Sequence, residues 1–399
     1  MTRASALLVL LLGMGAPASD AQFLLQLESQ TRVRSSLPGD VGTGATDDIE
    51  LLPVFATRVQ LSPFAFDLAY RPTFVFRDLA GQGPLVALHR ADAAIQWQHQ
   101  GTLVRASTDV AKGKVDLGPL LALDGAPPGS IAPGTTIGLV DYVRSSTSLS
   151  VGQRVAPHLL FRIEGTYQVS GSTQTTGLPL QWGPAGVLQA VWELTPVDQF
   201  VTTASAQHAD FATLQRQTLV EATQRWKHEL TAVLSVEAVG GIAVVQQYAP
   251  DLLAVPAHTG LDVLPVLGVT ALQTLQVRSS VLGLHGHVGL APFADRFTAT
   301  VYERLETTVG VSWVLRSTLT MSVAASLARS FPRAGTGITP DLLVGGETAT
   351  VWAVQPWLSL GAAVRAVHVE ALVPGNFAQN QWLASVSLTL HDLEHTAWK

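Results

Sequence analysis

The sequence predicts an all-β chain closed into an antiparallel transmembrane β-barrel of about sixteen to eighteen strands. Three observations point there. Apolar and polar side chains alternate with a two-residue period along most of the chain, short turn signals recur between the alternating runs, and charge is scarce. The 399 residues include 34 Gly, 22 Pro and no Cys, and only 14% are charged, against about a quarter in soluble proteins. The hydrophobic fraction is an ordinary 47%, so Ser, Thr, Gln, Gly and Ala take the place of charge. A net charge of -6 without a basic block leaves no electrostatic footprint for nucleic acid. The lack of cysteine removes disulfides, thiolate nucleophiles and Cys-ligated metals.

The N-terminus reads as an export signal. Met1 to Arg3 is a short positive segment, Ala4 to Met14 is apolar, and Ala16-Pro17-Ala18 or Ser19-Asp20-Ala21 offers small residues for cleavage. Cleavage after Ala21 divides the chain into a signal peptide, 1–21, and a barrel, 22–399. The apolar run is short for a spanning helix, and no later segment offers about 18 uninterrupted apolar residues.

The strands follow from the alternation. From Phe64 to Arg77, Phe64, Phe66, Leu68, Tyr70, Pro72, Phe74 and Phe76 fall on one face, and Asp67, Arg71, Thr73 and Arg77 on the other. Leu159, Phe161, Ile163 and Tyr167 oppose Arg162, Glu164, Thr166 and Gln168 in the same way. So do Leu305, Val309, Val311 and Trp313 against Arg304, Glu306, Thr308 and Ser312. The first strand is read at Gln22 to Arg32, with Phe23, Leu25 and Leu27 outward, and the last at Gln381 to His391.

Proline marks where the ladders stop, because it cannot donate to them. Leu61-Ser62-Pro63-Phe64, Val155-Ala156-Pro157-His158, Leu194-Thr195-Pro196-Val197 and Val354-Gln355-Pro356-Trp357 are such turns. Leu315-Arg316-Ser317-Thr318 and His228-Glu229-Leu230-Thr231 are relatives without proline, and weaker candidates lie near Gln100 and Leu275. Between them run looser Gly- and Pro-rich connections: Gly113 to Thr136, Gln246 to Leu261 and Ser330 to Gly346. Short turns on one side and longer loops on the other are the habit of outer-membrane barrels. A soluble sandwich or propeller would also alternate, but the polar face here is too thinly charged to keep a large exterior in water. Trp97, Trp192, Trp226, Trp313, Trp352, Trp357 and Trp382 lie near predicted strand ends, as an aromatic girdle does.

No catalytic constellation emerges, so an enzyme is not expected, and no metal or cofactor is implied. Gly42-Thr43-Gly44 lacks the strand and helix of a nucleotide site and reads as a turn. His391 and His395 are four apart, but at a fraying strand end. His285 and His287 share one strand face and read as solvated pore residues. The other residues expected to face the lumen are Asp67, Arg71, Arg90, Asp92, Arg105, Asp109, Arg144, Arg162, Glu164, Glu221, Arg225, Glu237, Arg304, Glu306 and Arg365. Two readings fit them. Opposed Arg and acidic residues set a transverse field across a polar channel, or they pair across neighbouring strands and line the interior. A barrel of this size is too wide for side chains alone to fill.

The apolar-small-Pro turns, the long run of alternating strands and the Arg-rich composition resemble outer-membrane β-barrel proteins of high-GC bacteria, notably myxobacteria. The run Pro292-Phe293-Ala294-Asp295-Arg296-Phe297, followed by Tyr302-Glu303-Arg304, is similar to a loop-to-strand entry in such barrels. The chain departs from their usual aromatic terminus by ending Ala397-Trp398-Lys399. The resemblance implies an outer-membrane exit of about eighteen strands for exopolysaccharide, working with a separate short periplasmic polysaccharide-export protein. A general diffusion porin for small polar solutes is the alternative and predicts a loop folded into the lumen. A non-transporting scaffold or surface protein is the third reading and predicts an occluded interior.

Overall fold

The computed structural model describes residues 20–35, 45–77, 79, 85–116, 139–172, 178–249, 258–295, 300–331, 341–371, 378–390 and 395–396. Among them the chain is one antiparallel sheet, with no helix. The expected signal segment up to residue 19, Gly42-Thr43-Gly44, His391 and Ala397-Trp398-Lys399 lie outside the described residues.

Eighteen strands make the wall. The first six are β1 (Asp20–Ser35), β2 (Ala45–Leu61), β3 (Phe64–Tyr70, resuming at Thr73–Phe76), β4 (Leu85–His99), β5 (Thr102–Asp116) and β6 (Leu139–Ala156). The next six are β7 (Leu159–Gly171), β8 (Gln181–Glu193), β9 (Asp198–Phe211), β10 (Arg216–Thr231), β11 (Leu234–Ala249) and β12 (His258–Val277). The last six are β13 (Ser280–Asp295), β14 (Thr300–Arg316), β15 (Leu319–Phe331), β16 (Asp341–Gln355), β17 (Leu358–Ala371) and β18 (Ala378–Leu390). Each strand pairs with its sequence neighbours, and β1 pairs with β18 from Leu27↔Leu390 to Arg34↔Leu383. His395–Thr396 continues that seam against Phe23 and Gln22. Closure leaves no free edge, which is the condition a sheet must meet to satisfy its backbone in lipid.

All eight predicted short turns exist, six of them where the sequence placed them. In the other two the ladder runs further than expected. β10 continues to Thr231 and turns at Ala232-Val233, and β12 continues to Val277 and turns at Arg278-Ser279. Neither segment contains a proline to stop pairing. Arg278 sits at a φ of 56°, the left-handed geometry a tight hairpin requires.

The expected long connections are shorter than their composition suggests. Gly113–Asp116, Gln246–Ala249, His258–Leu261 and Asp341–Gly346 all belong to strands. Strands reach 20 residues, about twice what the hydrocarbon needs, so each extends past the apolar band. Beyond that band nothing demands an apolar face, so the alternation fades while the ladder continues. Two connections on this side are short outright: four residues join Phe211 to Arg216, and four join Asp295 to Thr300.

Cross-strand register sorts the side chains into two faces. Ile163, Val263 and Val386 belong to a continuous apolar face and are 60%, 61% and 63% exposed. The buried hydrophobic residues lie mostly on the opposite, polar face, toward the end that carries the longer connections. Leu88, Ala111, Val115, Val140 and Tyr142 form one cluster under Leu178. Ala243, Val245, Leu264 and Val266 form another under Val301. Val367, Val369 and Leu383 form a third.

Candidate functional site: the polar face of the wall

The ladder carries one parity around the whole barrel, and the residues expected to face the lumen share it, except Arg71, which stands at the break in β3. Asp67 is opposite Arg58 on β2 and Ala94 on β4, and Asp92 is opposite Asp109. Glu164 is opposite Ser150 and Val187, and Glu221 is opposite Ser205 and Ala243. His287 lies between Thr270 and Thr308, and Glu306 between Gly289 and Ala328. Charged side chains on the other parity, such as Lys112, Glu303 and Arg329, lie near strand ends.

These charges pair locally. Across neighbouring strands Arg58 bonds Asp67, Arg71 bonds Asp92, Arg144 Nε lies 3.0 Å from Asp109 Oδ2, and Arg225 Nε lies 3.3 Å from Glu237 Oε1. Arg365 Nη2 lies 2.8 Å from Glu347 Oε2. Along one strand, Arg162 meets Glu164 at 2.6 Å and Arg304 meets Glu306 at 3.3 Å. The geometry is that of cross-strand and same-strand neutralisation. Arg90 and Arg105 have no carboxylate partner among the described residues.

The two histidines separate. His287 Nδ1 is 2.9 Å from Thr270 Oγ1, while the His285 ring covers Gly310, where a Cβ would stand 2.0 Å from Cε1. Glycine at 310 is what lets that ring lie flat on the wall.

Sequence reading missed several members of this face. Arg32, Glu50 and Asp48 form a buried charged group where β1 meets β2, with Arg32 bonded to Glu50 and its Nε donating to Gln30 Oε1 at 2.8 Å. Their parity was available, since Glu28, Gln30 and Arg32 alternate with Leu27, Ser29 and Thr31. Glu347, the partner of Arg365, fell just beyond the expected loop at Ser330 to Gly346.

At the long-connection end the chain leans over this face. Leu178 is 1% exposed against the β4–β6 cluster, and Gln247 Nε2 donates to the Val301 carbonyl at 2.8 Å, linking β11 to β14 across two intervening strands. Gly171 has a φ of +135° that makes the approach possible: a Cβ there would stand 2.4 Å from the Pro179 carbonyl oxygen.

At the short-turn end the aromatic row appears. Trp192, Phe200 and Trp226 are aligned on adjacent strands of the apolar face. Trp97, Trp313, Trp352 and Trp357 lie toward the same end, whereas Trp382 lies at the other. One step beyond Trp226, outside the apolar band, Asp198 accepts from His228 Nδ1 at 2.7 Å, from Thr195 Oγ1 at 2.8 Å and from Trp226 Nε1 at 3.1 Å. The His228 hydrogen bond first, then those from Thr195 and Trp226, hold the Asp198 carboxyl below the usual carboxylate range. A lowered folded-state pKa adds stability that is present above the unfolded value and lost as pH falls toward the folded one. Asp198→Asn is therefore expected to lower the unfolding temperature at neutral pH. The gap from wild type should close below about pH 4, as read by loss of the compact band on unheated gels.

The family model described as the EpsX exopolysaccharide export family matches residues 18–394. The chain belongs to that family. No curated protein matches it. Among solved structures, OccAB4 of Acinetobacter baumannii is similar at 10% identity over 94% of this chain and 100% of that one, with a TM-score of 0.51. OccK3 (OpdO) of Pseudomonas aeruginosa is similar at 12% identity over 96% and 98%, with a TM-score of 0.49. A structure titled "Bacterial polysaccharide outer membrane secretin" is similar at 10% identity over 92% and 98%, with a TM-score of 0.40. At these identities the shared feature is the barrel. The closed eighteen-stranded wall and the family together place the chain in the outer membrane as a barrel of channel type.

Proposed function

We propose that this barrel is the outer-membrane exit for a surface exopolysaccharide, with the polar face lining its lumen and the apolar face meeting lipid. The observation that carries the reading is the family match from residue 18 to 394 on a closed wall whose mid-strand ion pairs lie on a single face. A locally neutral lumen suits a bulky hydrated polymer, because it offers donors and acceptors without an ionic trap. In this reading a separate periplasmic polysaccharide-export protein delivers the polymer. The short-turn rim, periplasmic by the usual orientation, exposes Leu194, Leu230 and Val233 as contacts for it.

Diffusion of small solutes is the second reading. Leu178 and Val301 favour it, since they bring chain from the long-connection end over the polar face as an inward-folded loop does. A gene deletion scored for surface polysaccharide, run beside single-channel recording of the refolded protein, separates the two. Export predicts loss of surface polysaccharide, restored by the wild-type gene. Normal surface polysaccharide together with a steady small-ion current would refute export.

A further inference from the structure

One arrangement on the polar face goes beyond charge neutralisation, and its meaning rests on the channel reading above. Asp92 and Asp109 stand directly opposite each other across β4 and β5. Like charges at such a pair destabilise a sheet unless something offsets them. Arg71 holds Asp92 from the β3 side, and Arg144 holds Asp109 from the β6 side. The result is a row, Arg71, Asp92, Asp109, Arg144, running across four strands.

The wall is hollow at this row. β3 breaks at Arg71-Pro72, and a recess of about 420 Å³ opens there, lined by the four row residues together with Arg90 and Tyr142. That volume falls in the range of small-molecule sites, roughly 300–1,000 Å³. Two lining groups lack partners among the described residues: Arg90 has no carboxylate, and Tyr142, 5% exposed, has a buried hydroxyl that makes no hydrogen bond. A buried hydroxyl without a partner is costly, and it points to an occupant.

We propose that the recess is a subsite for one uncharged sugar ring of the passing polymer. Adjacent ring hydroxyls each donate and accept. Asp92 and Asp109 are paired acceptors, while Arg90 and Tyr142 are donors. Charge decides against an ionic ligand. With Glu28 also on the lining, the three arginines Arg71, Arg90 and Arg144 face the three carboxylates Glu28, Asp92 and Asp109, so the recess has no net charge. An anionic sugar would meet two carboxylates at its centre, and a metal ion would meet the arginines on either side.

The test is current interruption in planar bilayers by the full-length protein, with maltohexaose as the neutral probe and trigalacturonate as the anionic one. Maltohexaose should interrupt the current. Asp92→Ala/Asp109→Ala should shorten the interruptions at least about tenfold, and Arg90→Gln about threefold, as expected for lost charged hydrogen bonds. Arg316→Gln, exposed at the short-turn end and outside the recess, should leave them unchanged. Unheated gels confirm that each variant folds. Interruptions insensitive to the aspartate pair, or longer ones from trigalacturonate than from maltohexaose, would overturn the subsite and leave the channel intact. A wild-type protein that passes no ions would overturn the channel reading and the subsite with it.

Discussion

Arg32→Met is expected to cost about 3–5 kcal/mol, the largest loss from any single replacement in the wall. The guanidinium lies between β1 and β2 bonded to Glu50, and the two side chains are only 11% and 6% exposed. Asp48, directly opposite Arg32 in the register, is 2% exposed. Removing the cation takes its charge away from two buried carboxylates, Glu50 and Asp48, and the cost comes from that lost compensation more than from the single bond. The position magnifies the effect. Arg32 also pairs with Ser385 on β18, so the charged group lies against the seam that closes the sheet. The measurement is denaturant-driven unfolding from lipid vesicles. The double variant Arg32→Met/Glu50→Gln should recover much of the loss, because it removes one buried charge together with its partner. Equal stability of the single and double variants would show that the charges are solvated and the pair contributes little.

The same strands show how far the sequence could be read. Alternation is a local signal, and wherever a strand crosses the apolar band it located the strand and its faces: Phe64, Phe66 and Leu68 against Asp67 are found in the register as expected. The signal ends with the membrane, not with the ladder. For that reason the strand ends at Gly113–Asp116 and Asp341–Gly346 read as loop although they are paired. The polar face was legible as a face, since parity alone assigns Arg90, Arg144 or Glu237. The partners were not. Pairing Arg71 with Asp92, or setting Asp92 against Asp109, depends on the register between strands. A shift of two residues preserves every face while changing every partner. Register is fixed by turn positions, and the two turns without proline near Thr231 and Val277 were misplaced by a few residues. The recess at Arg71-Pro72 was hidden for a related reason: the proline was counted on the apolar side of an unbroken strand, whereas its missing N–H interrupts the ladder.

Val386→Arg is expected to destabilise the barrel by about 2–4 kcal/mol, while Ser387→Arg, one residue along, changes it little. Val386 is 63% exposed, near the middle of β18, with Thr31 and Ala362 beside it on the neighbouring strands. Ser387 lies on the other face between Gln30 and Gly361. The two substitutions share strand, depth and added charge, so the difference between them reports chiefly the solvent that each face meets. A guanidinium at the centre of the hydrocarbon loses its hydration, and the cost shifts the folded population by about thirty to several hundred fold. At position 387 the same group enters a polar wall that already carries Arg32 and Glu50. The folded fraction in vesicles, read as the compact band on unheated gels, compares them directly. Equal losses, or the larger loss at 387, would mean that the faces are assigned the wrong way round. The lumen, the channel and the sugar subsite would then have no physical basis.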